Sequence, residues 1–298
     1  ASAVCRSGLG DLLTRSMFND GPRMPLCSPF TAAEVTDRAI RFIERTDRPY
    51  FLAVNYLDGH DPYYVPPKCR DRDYRAVSRA ERESVLNASP DLSSRPDPAV
   101  ARRIRAQYRR ALNCMDRSLG RLLATVERDP NTIIAFVGDH GEQFGRHGFG
   151  GHGNSVYRQV LHVPLAVRIP RSAPVRITDP VSITDLYVTL VRASDPARRA
   201  EVLPLFDAAS RRPVLSSYAY LHAPDNEERS GFSVVRDEFH FIHSTRGEEL
   251  YRYLQDPKEV SPVSIPTHRE TADTMRENVQ QMRTATKPAT WKALGYLN

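Results

Sequence analysis

The chain has 298 residues, 40% of them hydrophobic, enough to pack one large domain or a domain and a half. Its formal charge is +6, from 42 basic and 36 acidic residues, and only Lys68, Lys258, Lys287 and Lys292 among the basic ones are lysines. That balance alone admits nucleic acid or an anionic surface as partner. The arginines are scattered, however, apart from pairs such as Arg102-Arg103 and Arg109-Arg110, and no aromatic-basic recognition motif accompanies them. Solvated helix faces account for them first and attraction of an anionic substrate second, so no nucleic-acid partner is expected. No run of 18 apolar residues exists, which excludes an apolar helical membrane span in this chain. Cys5, Cys27, Cys69 and Cys114 lie far apart without a Cys-x-x-Cys pair, which argues against a zinc–thiolate site and leaves disulfides and free thiols both open.

In chain order, residues 1–30 are rich in Gly, Pro, Ser and Arg and form a loop-rich lead-in with a short helix near residues 10–17. Thr31 with Glu34 has the spacing of a capping box, and Ala39, Ile40, Phe42 and Ile43 form the apolar stripe of the helix that follows. Residues 50–57 read as a buried strand. Residues 66–98 are a polar excursion on the substrate side, and residues 100–126 form one long amphipathic helix. The apolar, β-branched run 133–137 predicts a second buried strand. A short helix at 156–161, a strand at 165–169 and a helix at 181–192, with Asp185 and Thr189 four apart, complete this part. After Pro213 short strands are expected at 214–220, 231–236, 239–244 and 249–253, with a turn at Asp237-Glu238 and a closing helix at 270–283. The alternation predicts an α/β fold: a mostly parallel sheet with helices on both faces, plus a small C-terminal antiparallel subdomain. Domain limits fall at 1–30, 31–205 for an α/β core that is incomplete, and 206–298.

Chemistry concentrates between residues 139 and 152. Gly138 ends the strand and Asp139-His140-Gly141-Glu142 follow at once, then Arg146-His147-Gly148 and Gly151-His152-Gly153. Ligands of open α/β sheets bind beyond the carboxyl ends of strands. Asp139 and His140 are therefore placed to hold a divalent cation, and glycines around His147 and His152 leave room for a ligand. An Asp oxygen with a His nitrogen suits Mn, Zn or Mg better than an all-oxygen calcium cage. His60 follows the 50–57 strand and precedes Asp61-Pro62-Tyr63, where an imidazole can donate a proton or stay positive beside an anion.

These segments resemble the sulfatases of the alkaline-phosphatase-like superfamily. The matching residues are Asp139 to Glu142, Arg146-His147-Gly148, Gly151-His152-Gly153, Tyr157, Val163-Pro164-Leu165 and Pro170. Further matches in the family's order are the 49–63 segment ending in His60-Asp61-Pro62-Tyr63, Met115-Asp116 with Leu119-Gly120, Val181 to Leu190, Glu249-Leu250-Tyr251 with Asp256-Pro257-x-Glu259, and Leu294 to Leu297. The resemblance runs from about residue 31 to the end. It implies a metal-dependent sulfuric ester hydrolase in which Asp139 and His140 are metal ligands, His60 and His152 are catalytic and contact the substrate anion, and His147 lies at the substrate or behind it. The family often uses calcium, so Ca, Mn, Mg and Zn all remain candidates for one divalent ion.

The family's nucleophile, a Cys or Ser in Cys/Ser-x-Pro-x-Arg with the Cys converted to formylglycine, has no full counterpart. Cys27-Ser28-Pro29-Phe30-Thr31 has Thr31 in place of the Arg. The nucleophile and an acidic ligand pair are expected in an upstream segment, and the chain alone is expected to be inactive. Alternatives within the superfamily are a phosphoethanolamine- or glycerophosphate-type transferase, a phosphodiesterase, or a non-catalytic degenerate fragment. The substrate is expected to be a small-molecule or glycan sulfate or phosphate ester. The compartment stays open, with an extracytoplasmic domain of a longer exported or membrane-anchored protein as one reading, and the oligomeric state is open too.

Overall fold

Thr31 opens the first helix, α1 (Ala32–Arg45), through the capping box its spacing predicts. Glu34 Oε2 accepts the Thr31 N–H at 2.9 Å, and Thr31 Oγ1 accepts the Glu34 N–H at 3.4 Å. A second carboxylate contributes from afar: buried Asp58 accepts the Ala32 N–H at 3.1 Å. The computed structural model describes residues 31–88, 96–195, 197–198, 204–206, 212–220 and 229–285. The lead-in with its expected helix at 10–17, Cys27 and the 294–297 ending lie outside the described residues.

The chain divides into two compact units: Ala1–Val85 with Pro96–Thr132, and Leu86–Arg95 with Ile133–Asn298. In the first unit α1 packs on a long helix, and Thr36 is fully buried with its hydroxyl donating to the Ser118 carbonyl at 3.2 Å. Of the expected apolar stripe of α1, only Ala39 is buried, while Phe42 stays exposed with its ring edge-on to Tyr50. The polar excursion contains a helix that patterning missed, α2 (Arg79–Leu86). Ser78 and Glu81 bond reciprocally at its start, Ser78 N–H to Glu81 at 2.9 Å and Glu81 N–H to Ser78 Oγ at 3.3 Å. That Ser-x-x-Glu spacing was available in the sequence. The long helix α3 (Pro98–Val126) starts ahead of its expected limit at residue 100, with Asp97 accepting the Ala99 N–H at 2.7 Å and a proline at the first turn, where its missing N–H costs nothing. Its inner stripe buries Ala101, Ile104, Ala111 and Leu122.

Cys69 and Cys114 form a disulfide that closes 45 residues and ties the excursion to α3, with Cα atoms 5.9 Å apart. Cysteine spacing left this pairing open. The expected buried strand at 50–57 does not form: the segment alternates in exposure but has no ladder partner among the described residues. A β-rich sequence cannot satisfy its backbone as a strand without a neighbour to pair with.

The second unit starts with β1 (Ile134–Val137) and β2 (Leu165–Arg168), paired antiparallel from Ile134↔Arg168 to Val137↔Leu165. Between them lies α4 (Arg158–Leu161), and after them α5 (Asp185–Ser194). A meander follows: β3 (Val214–Tyr220), β4 (Arg229–Arg236), β5 (Phe239–Ser244) and β6 (Gly247–Arg252), closed by α6 (Arg269–Ala285). Alternation along the meander sends side chains to two faces. Val234, Phe241 and Leu250 meet Ala272, Met275 and Val279 of α6. Ile242 and Tyr251 meet Phe149, Val156 and Tyr157 on the other face. The antiparallel C-terminal sheet is therefore as expected. The mostly parallel sheet is not: both described sheets are antiparallel. The β1–β2 connection holds a three-residue 3-10 turn at Arg146–Gly148 and the four-residue α4, and antiparallel neighbours need no crossover helix. Nor are β1 and β2 uniformly buried, since alternate residues of β1 face solvent. Among the described residues no helix is long and apolar enough to cross a membrane.

Candidate active site

Gly138 continues the β1–β2 ladder by one step, its N–H donating to the Pro164 carbonyl at 3.0 Å, and the chain then turns out of the sheet. Asp139 is 90% exposed and His140 35% exposed at this strand end. Asp139 Oδ1 accepts the His140 N–H at 3.0 Å. His140 Nδ1 faces the Gly141 carbonyl at 2.9 Å, and a carbonyl only accepts, so Nδ1 carries the proton. Nε2 is then the basic nitrogen, the form a metal ligand needs. It lies 3.9 Å from Asp139 Oδ2. One cation at the usual separation of about 2.0–2.6 Å from each atom fits between them. The pair fits a divalent ion as two of its ligands. Among the described residues no cluster of three or more His, Cys, Asp or Glu is grouped for a metal.

The glycine-rich loop brings His152 back to His140. Their rings stack with centroids 3.9 Å apart and 25° between planes. His152 Nδ1 points at Glu142 Oε2 at 3.3 Å, and the Glu142 side chain is only 5% exposed. Glu142 is thus placed to orient His152. The loop bends at Gly151, which has φ +59 and whose carbonyl accepts the Gln143 N–H at 3.0 Å. Gly141 is needed for a different reason: a Cβ there would collide with the Gln159 carbonyl oxygen.

His147 lies flat on Tyr157, with ring centroids 3.8 Å apart and planes 3° apart. Tyr157 in turn donates to Glu249 at 2.7 Å. Burial of His147 pushes its pKa below the ordinary histidine value, against the pull of Glu259 and Glu249. Burial also drives the Tyr157 phenol far above its usual range, with the Glu249 carboxylate adding to the rise. His147 is thereby packed on the meander-facing side of the loop, while His152 is packed on His140.

His60 belongs to the first unit. Its Nδ1 lies 3.0 Å from the Asp61 carbonyl, so that nitrogen carries the proton. The loop after it is held by α3, where buried Gln107 donates to the Pro62 and Tyr63 carbonyls at 2.9 and 3.2 Å and accepts the Val77 N–H at 2.9 Å. Arg82, also buried, sits 3.2 Å from Asp61. Gln107 was not singled out from sequence, since a lone Gln on an amphipathic helix carries no local signal. Asp185 and Thr189 are structural: Asp185 pairs with Arg212 at 3.3 Å, and buried Thr189 accepts the Leu205 N–H at 3.2 Å.

The sulfatase family model matches residues 14–195, well over half of the chain. The chain belongs to the sulfatase family. The uncharacterized sulfatase YidJ of Escherichia coli (strain K12) is 25% identical over 258 residues, covering 77% of this sulfatase chain and 50% of that protein. Iduronate 2-sulfatase of Homo sapiens is 26% identical, over 63% of this chain and 40% of its own length. The solved structure of yidJ from Bacteroides fragilis shares the fold, with a TM-score of 0.62 at 19% identity over 87% of this chain and 60% of that one. The sulfatase chain therefore spans about half the length of the curated relatives it matches. The motif that identified the family, Asp139-His140-Gly141-Glu142, is also the strand end at which the two stacked histidines meet.

Proposed function

We propose that this chain forms part of a metal-dependent sulfuric ester hydrolase, with Asp139 and His140 as two ligands of one divalent ion. The observation that carries this is the approach of Asp139 Oδ2 and His140 Nε2 to 3.9 Å at the end of β1. When bound, the ion would clamp sulfate oxygens and stabilise their charge. The chain's own residues have distinct tasks. His152, steered by Glu142 through Nδ1, would donate from Nε2 to an anionic ester oxygen in its doubly protonated form. For His60, in the first unit with Nδ1 held by Asp61, the proton-donor role that the family resemblance implies would be served from Nε2 of the doubly protonated ring. His147 supports the loop behind His152. Relatives that act on sulfate esters, such as the human iduronate 2-sulfatase, support the substrate class.

The test is manganese and sulfate titration of the chain, followed by NMR of the histidine rings. Binding of manganese that is lost in Asp139→Asn, and a sulfate-induced shift of the His152 ring, are expected. No manganese binding by the native chain, or binding indifferent to Asp139, would refute the metal assignment. In an aryl sulfate assay with Mn, Mg, Ca or Zn, no turnover is expected; turnover that vanishes in Cys27→Ala would make Cys27 the nucleophile.

A further inference from the structure

Glu259 is fully buried, and it sits in the left-handed region at φ 55 at the end of a turn in which its N–H donates to Asp256 at 3.0 Å. A carboxylate removed from water must have its oxygens engaged. Both are. Oε1 lies 2.5 Å from Nδ1 of His240 on β5, itself 1% exposed. Oε2 accepts the Arg158 N–H at 2.7 Å, the first amide of α4, from 101 residues away. Helix α4 has four residues and no side-chain cap at Tyr157, so this distant carboxylate holds its start. Two neighbouring bonds run the same way: Gln159 Nε2 donates to the Lys258 carbonyl at 3.2 Å, and Tyr157 to Glu249 at 2.7 Å.

From α4 the constraint reaches the strand end. The Val160 carbonyl accepts the Gly141 N–H at 2.8 Å, and Gly141 is packed so closely on Gln159 that no Cβ fits. Gly141 directly follows His140, and its carbonyl is the group that fixes His140 Nδ1. Wherever α4 is set, Gly141 is set, and with it the direction of His140 Nε2. We propose that Glu259, with His240 behind it, is a positioning residue for His140. The meander thus reaches the strand end through one buried carboxylate. The consequence for metal binding rests on the proposed role of His140 as a ligand; the positioning itself does not.

The experiment compares native chain with Glu259→Ala by amide hydrogen exchange, His140 ring shifts and manganese titration. Expected are exchange at Gly141 faster by about tenfold or more, with exchange at Met275 in α6 unchanged. A displaced His140 ring resonance and manganese affinity lower by about 10- to 100-fold are expected beside it. Equal acceleration at Gly141 and Met275 would reduce Glu259 to a general stabiliser and overturn the proposal, as would native exchange at Gly141. Should the alanine variant not fold, Glu259→Gln decides: it keeps the volume but only one carbonyl acceptor, so severalfold faster exchange at Gly141 alone is expected, and native exchange overturns the idea. A native chain that binds no manganese would remove His140 as a ligand, while Gly141 exchange would still decide whether Glu259 positions it.

Discussion

His140 and His152, twelve residues apart in the chain, stack ring on ring with 3.9 Å between centroids. Each ring is fixed through Nδ1, His140 by the Gly141 carbonyl and His152 by Glu142. Both therefore turn their Nε2 atoms away from the protein groups that hold them. The nitrogen proposed as a metal ligand, on His140, and the one proposed to contact the anion, on His152, thus belong to two stacked rings.

Replacing Asp139 by Asn or His140 by Ala is expected to weaken manganese binding by about tenfold or more each, since either change leaves a single ligand of the visible pair. Isothermal titration of the native chain and the two variants measures this. Unchanged affinity in both variants would remove the pair as a metal site.

Opening the Cys69–Cys114 bridge is expected to destabilise the chain by about 3–4 kcal/mol, the loop-entropy value for a closed segment of this length. Urea unfolding of a Cys69→Ser/Cys114→Ser variant gives the number. A midpoint equal to the native one would mean that α3 and the excursion are held by other contacts, Gln107 among them.

Acid should loosen the structure around His147. Burial lowers the His147 and His162 pKa values below the ordinary histidine value, so the folded state holds fewer protons than the unfolded one. The stability they contribute is complete above the unfolded pKa and is lost as pH falls through their folded values. The melting temperature is expected to drop between about pH 7 and pH 5, and His147→Phe should flatten that slope. A variant whose profile matches the native one would exclude His147 as the source.

Gly141→Ala is expected to cost about 1–3 kcal/mol, because the added methyl meets a backbone carbonyl that cannot swing aside as a side chain can. Chemical unfolding gives the stability, and the His140 ring resonance reports whether the strand end has moved. Native stability in the alanine variant would show that α4 yields freely.

Local signals in the sequence were sufficient for much of this protein. Thr31 with Glu34 and the turn at Asp237-Glu238 bring their partners together within a few residues, so that helix start and the hairpin were legible directly. The Asp139-His140 strand end was legible for the same reason, and its motif carried the family. The α2 helix shows the same kind of signal overlooked, since Ser78 and Glu81 were there to be read amid polar residues. What only the tertiary structure decided involves residues far apart in the chain. Strand direction depends on which strand lies beside which, and four apolar residues look alike in parallel and antiparallel sheets. Residues 50–57 have strand composition, yet no neighbour among the described residues to pair with. Cys69 and Cys114 are 45 positions apart, and Glu259 reaches Arg158 across 101. No periodicity encodes such pairs, because the burial that makes a carboxylate seek a distant amide exists only once the chain has folded around it.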